Sequence, residues 1–146
     1  QTPDADQALT ITFKAPTSSA LFGYKGDVYI HTGIVSGGDW QYVPAEWNQN
    51  TDKCKMVKRE DNVWSITLEP SIRDWFHSDK TPIEKLGIVI RSSDGSLKGI
   101  GNDSFVKVTD NKYQEFAPAE IRYASLPENV EEGINIINAN TVTLVL

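Results

Sequence analysis

Residues able to carry out catalysis are scarce in this sequence. The chain has two histidines and one cysteine, and it contains no G-x-S-x-G nucleophile motif, no Walker-type glycine loop and no H-E-x-x-H metal motif. A glycoside hydrolase needs only two carboxylates, but most acidic residues lie in predicted turns, among them Asp27, Asp52, Asp61, Asp94, Asp103 and Asp110. We therefore predict no catalytic residue, no metal site and no cofactor.

The aromatic residues are more informative. The chain has four tryptophans, five tyrosines and five phenylalanines. Trp64 alternates with Ile66 and Leu68, so it is expected in the core of a sheet. Trp75 lies in a short helical pattern, where packing of a helix on a sheet is the expected role.

Trp40 and Trp47 stand in a different context, because both lie beside polar loop sequence. Trp40 follows the run SGGD at 36–39, and Trp47 is surrounded by glutamate, asparagine and glutamine. A core position and an exposed stacking surface both fit these two residues. In the predicted short strand, Trp40 shares its face with Tyr42.

Tyr29 and His31 add to this group. If Val28 and Ile30 face the core, the phenol and the imidazole project together from the outer face of the strand. Rings flanked by amide and charged side chains suit a neutral polyhydroxylated ligand, since the C–H face of a sugar stacks on a ring and its hydroxyls exchange hydrogen bonds. The candidate carbohydrate-binding residues are Tyr29, His31, Trp40, Tyr42 and Trp47.

Short strands must position these side chains. Period-two alternation or β-rich composition predicts strands at 9–14, 27–32, 40–43, 53–58, 62–68, 86–91, 97–100 and 105–108. Asp94-Gly95 predicts a hairpin turn, and the segment 71–76 predicts one or two helical turns beginning at Ser71. The fold class is therefore all-β, an immunoglobulin-like antiparallel β-sandwich with one short helical turn.

The chain is predicted to divide near residue 125. We assign 1–124 to the β-sandwich and 125–146 to a linker and a terminal strand at 141–146. This strand either completes the sandwich or begins a following domain. The second interpretation is favoured because the linker is long for a compact domain.

Length, charge and cysteine content argue against several classes of protein. A chain of 146 residues fits one domain, and a net charge of −6 disfavours nucleic acid and anionic membranes as partners. No apolar run approaches the roughly 18 residues of a transmembrane helix. The single cysteine, Cys54, excludes an internal disulfide, and we expect a free thiol without catalytic role. No leader pattern opens the chain, so Gln1 is expected to follow a removed signal or a cut boundary.

Several segments carry a family likeness: 27–35 (DVYIHTGIV), 38–43 (GDWQYV), 47–48, 62–67, 71–76 and 84–96. They resemble starch-binding carbohydrate-binding modules, those of families twenty-five and twenty-six and related N-terminal modules of Bacteroides-type surface amylases. The likeness covers about residues 20 to 110. The closing segment 138–146 resembles the opening strand of the next β-sandwich in such enzymes.

The resemblance implies a non-catalytic β-sandwich that binds starch or maltooligosaccharide on a small aromatic platform. Its partner would be an attached α-amylase-type catalytic domain at an extracellular or bacterial outer-membrane surface. Carried over by motif position, the platform includes His31, Trp40 and Tyr29, while Trp47 and Trp75 compete for the third ring. The alternative is a protein-interaction or spacer domain of a surface glycan-uptake assembly. A catalytic fragment is the third and least favoured alternative.

Overall fold

The computed structural model describes residues 2–78, 81–112 and 132–137. Its strands form two antiparallel sheets of four strands each. The first, called here the β1 sheet, has the order β4-β5-β1-β8, and the second, the β2 sheet, has the order β3-β2-β6-β7. The strands are β1 Leu9–Lys14, β2 Val28–Ser36, β3 Asp39–Gln41, β4 Val57–Glu60, β5 Val63–Leu68, β6 Lys85–Ser92, β7 Ser104–Lys107 and β8 Gly133–Ile137. A short helix, α1, spans Ile72–Phe76.

The all-β sandwich predicted from the sequence is confirmed. Alternation places Ile11 and Phe13 of β1 against Ile30 of β2 and Ile88 of β6 in one shared core between the sheets. Trp64 was predicted in this core, where it is 1% exposed and stacks on Phe13 with ring centroids 6.3 Å apart. No helix in the described ranges is long and apolar enough to cross a membrane.

Three segments differ from the strands expected. Residues 97–100 form no strand of their own, but they pair with the end of β6 through the Arg91–Lys98 bridge and two backbone hydrogen bonds, from the Ser92 amide to the Leu97 carbonyl and from the Gly99 amide to the Ile90 carbonyl. The segment 53–58 divides into a 3-10 turn at Asp52–Cys54 and the start of β4. Gly133–Ile137, which was assigned to the linker, pairs with β1 as β8. The predicted strand at 141–146 lies outside the described residues, so the division of the chain stays a prediction.

The helix α1 forms where the sequence predicted helical turns. Ser71 caps it by accepting a hydrogen bond from the Asp74 amide at 3.0 Å, and His77 ends it in the left-handed conformation at φ 56°. Trp75 packs edge-to-face on Phe76 and is buried, as predicted for a helix that packs on a sheet. The helix therefore contributes to the core.

Cys54 lies in the 3-10 turn that precedes β4. Its thiol is free and buried, so the expected free thiol is confirmed. Burial also keeps the sulfur from solvent. Its lack of a catalytic role stays a prediction.

Candidate functional site

A pair of glycines in the centre of the β2 sheet forms the base of the site. Gly33 of β2 and Gly87 of β6 are direct cross-strand partners. A Cβ atom at Gly87 would overlap the indole ring of Trp40, and one at Gly33 would lie 3.2 Å from the same ring. The absence of side chains at these two positions thus leaves room for Trp40 of β3 to lie across the sheet.

Three aromatic rings meet on this outer face. The imidazole of His31 is nearly parallel to the indole of Trp40, with an interplanar angle of 25° and centroids 5.7 Å apart. Trp47 presents its ring to His31 at 80° and 5.2 Å. All three rings remain partly exposed. His31 thus contacts two tryptophans, one nearly parallel to it and one nearly perpendicular.

The three rings line an open pocket of about 280 Å³. Val89, Lys98 and Asp103 complete its lining. The Lys98 ammonium lies 5.4 Å from the centroid of the Trp47 ring. The pocket therefore combines apolar ring surfaces with one cationic donor and one carboxylate acceptor.

Arg91 holds the loop that carries Trp47. Its side chain is buried beneath the loop, where Nη1 donates to Asn50 Oδ1 at 2.9 Å and Nη2 donates to the Gln49 carbonyl at 2.7 Å. The guanidinium lies 5.6 Å from the Trp47 ring and 5.2 Å from the Tyr29 ring. Since a guanidinium bonds in a fixed fork, Arg91 fixes both the loop and the ring that stands over it.

The charge state of His31 follows from its surroundings. Burial and the nearby positive charge of Arg91 lower the pKa of His31 below 6.5, and the carboxylates of Glu46 and Asp103 oppose that shift. The imidazole is therefore neutral at neutral pH. A neutral ring keeps both a stacking face and a nitrogen able to accept a hydrogen bond.

The structure brings His31, Trp40 and Trp47 together, and it places two predicted residues elsewhere. Tyr29 is 7% exposed and lies against Arg91. Tyr42 follows β3 in the left-handed conformation, and its hydroxyl hydrogen bonds to Thr81 at 2.6 Å. Because the chain leaves the strand before Tyr42, this ring does not follow the alternation that places Trp40 and does not line the pocket.

Of the two candidates for a third ring, Trp47 is the one next to His31. Trp75 is buried in the core on α1. Three residues of the pocket were not identified from the sequence: Val89, Lys98 and Asp103. The interior glycine of the run LGIVI at 86–90 was an available signal, because a glycine inside a strand often marks a close approach of another group.

A larger pocket, of about 520 Å³, lies between the start of β2 and β4. Its lysines face aspartates, with Lys55 at 3.5 Å from Asp27 and Lys58 at 3.4 Å from Asp61. Its tryptophan, Trp64, belongs to the core. Among the described residues that line this pocket, the one aromatic ring is buried, so we place the candidate site at the three rings.

No protein-family model and no curated protein matches the chain. The likeness to starch-binding modules therefore stays a prediction from the sequence.

Proposed function

We propose that this chain is a non-catalytic module that binds α-glucan, as starch or maltooligosaccharide, at His31, Trp40 and Trp47. The observation that carries the proposal is the contact of His31 and Trp47 with each other and of His31 with Trp40, whose indole covers the glycine pair. Rings from β2, from β3 and from the loop that follows β3 converge on one pocket, and Lys98 and Asp103 also line it.

The arrangement suits a sugar ring in a specific way. The apolar C–H face of a glucose unit would stack on the indole of Trp40. The other side of this indole packs on the two glycine positions of the sheet. Sugar hydroxyls would accept from Lys98 and donate to Asp103. Trp47 stands nearly perpendicular to His31, so the rings form a bend rather than a plane. A bent surface suits an α-linked glucan, whose chain curves, better than a straight β-linked chain.

The carboxylate content of the pocket supports binding without hydrolysis. Glycoside hydrolysis ordinarily needs two carboxyl groups on opposite sides of the scissile bond. Asp103 is the one carboxylate among the described residues that line the pocket. The chemistry is therefore assigned to an attached glycoside hydrolase, which this module would direct to its substrate at an extracellular or outer-membrane surface.

Such a site binds weakly by itself. Stacking and a few hydrogen bonds give modest affinity, and attachment of several modules to one insoluble polymer raises the retention of the whole enzyme. The alternative role, contact with another protein domain, would need a flat apolar patch. The lysine and aspartate beside the rings favour the sugar.

Retention on insoluble starch tests the proposal. The purified chain should sediment with starch and stay in solution with cellulose, while Trp40→Ala should lose retention on starch. Phe22→Ala is the matched control, because Phe22 is also an exposed ring (45%) but does not line the pocket. Equal retention of Trp40→Ala and the parent, or release of reducing sugar from soluble starch by the chain, would contradict the proposal.

A further inference from the structure

Phe105 extends the row of rings beyond the pocket. It lies on β7, an edge strand of the β2 sheet, directly opposite Gly87. Because the indole of Trp40 covers Gly87, the phenyl ring packs against that indole, at 79° with centroids 6.2 Å apart. Trp47, His31, Trp40 and Phe105 therefore follow one another across the outer face of the sheet.

Phe105 lies outside the described pocket and is 51% exposed. Single exposed apolar residues are common on protein surfaces and carry no meaning alone. Two observations set this one apart. The ring continues the row directly from Trp40, and the Lys85 ammonium lies 4.9 Å from its centroid.

The two ends of the row are chemically alike. Trp47 stands at one end with the Lys98 ammonium 5.4 Å from its ring, and Phe105 stands at the other with Lys85. Each end thus pairs a stacking ring with a hydrogen-bond donor. Both terminal rings are nearly perpendicular to their inner neighbours, at 80° and 79°.

We propose that Phe105 and Lys85 form an outer subsite for a glucan chain, next to the sugar that stacks on Trp40. This inference rests on the proposed function. Successive sugar units are joined through one oxygen atom, so a unit on Trp40 places its neighbour within about one ring's width, where Phe105 begins. Lys85 donates to the hydroxyls of that second unit. The subsite makes the module prefer longer chains to short ones.

Calorimetric titration with two oligosaccharides tests the subsite. Maltotriose and maltoheptaose are titrated into the parent chain and into Phe105→Ala, Phe105→Trp, Trp40→Ala and Phe22→Ala, the last as a matched exposed ring outside the row. Thermal melts of each variant report the fold. We expect Phe105→Ala to bind maltoheptaose about tenfold more weakly. It should bind maltotriose within about twofold of the parent, because the units of this short chain lie along Trp47, His31 and Trp40 and end before Phe105.

The remaining variants separate the possible results. Phe105→Trp should keep the affinity for maltoheptaose, since it keeps a stacking face, and Trp40→Ala should weaken both ligands. Parental affinity of Phe105→Ala for maltoheptaose, or an equal loss for both ligands, would overturn the subsite while the proposed function stands. If the parent binds neither oligosaccharide, the proposed function itself fails.

Discussion

At the scale of single residues, His31 is the member of the row whose charge depends on pH. Its folded-state pKa lies below 6.5, first because of burial and then because of Arg91. The unfolded chain therefore takes up a proton at a higher pH than the folded chain does. The free energy of unfolding therefore keeps its full value, as far as His31 is concerned, above about pH 6.5. It decreases as the pH falls below that value, because the unfolded chain gains the proton first.

The affinity for glucan should also decrease as the pH falls. A sugar that covers the imidazole removes more water from it, so the bound state disfavours the proton further. We expect the affinity for maltoheptaose to be constant above about pH 6.5 and to fall below it. His31→Phe keeps a flat ring without a titrating group and should flatten the profile. A parent profile that rises towards acid, or an unchanged slope in His31→Phe, would contradict this account.

Replacement of Trp40 should weaken binding, whereas replacement of Trp64 should destabilise the fold. Trp64 is fully buried on Phe13, and loss of a buried tryptophan costs about 3–5 kcal/mol of unfolding free energy. Trp40→Ala should keep a melting temperature close to that of the parent and lose binding worth about 1–3 kcal/mol, by analogy with bases on aromatic side chains. Thermal melts and starch affinity gels on both variants check this, and unfolding of Trp40→Ala would contradict it.

At the scale of the elements, the glycine pair positions Trp40. Gly87→Ala places a Cβ atom inside the volume of the indole, so the ring must move away from the sheet. We expect about tenfold weaker binding of maltoheptaose with little change in the melt. Gly101→Ala is the matched control, because a Cβ atom there meets no atom within 4 Å. Equal affinity of Gly87→Ala and the parent would show that binding does not depend on the packing of Trp40 against Gly87.

Alternation along the strands predicted much of this arrangement. It gave β1, β2, β5 and β6 and the outward direction of His31. It could not place Trp47, because the loop is held by Arg91 through hydrogen bonds to residues 41 and 42 positions away in sequence. It failed at Tyr42, where a left-handed backbone breaks the period.

The strand β8 shows the same limit. Gly133–Ile137 is short and follows a polar, turn-rich run, so the local sequence favoured a linker. Its pairing partner is β1, with Thr12 opposite Asn135. A strand whose stability comes from a partner more than a hundred residues away in sequence gives little local signal.

At the scale of the whole molecule, a buried ion pair joins distant segments. Arg73 of α1 bonds to Asp110, which follows β7, and to Asp6 near the beginning of the described chain, at 2.7 Å. The Asp110 carboxylate also accepts the Ile83 amide at 2.8 Å. Three parts of the chain therefore meet at one guanidinium.

Removal of one partner should destabilise the fold without changing the site. Asp110→Ala leaves the buried charge of Arg73 with less compensation, and breaking a buried pair costs about 3–5 kcal/mol. Asp61→Ala is the control, because its ion pairs are exposed, and we expect little change. Denaturant unfolding measures both. Equal stability of the two variants would contradict the role given to the pair.

The glycine pair also constrains how such a site can be gained. A sandwich with ordinary side chains at positions 33 and 87 has no room for an indole laid across its sheet. Acquiring a tryptophan at position 40 alone would leave that ring standing in solvent. The two glycines must come first, although before the tryptophan arrives they only weaken the strands. Grafting this site onto another sandwich therefore begins by deleting side chains, and the aromatic ring is the last change to make.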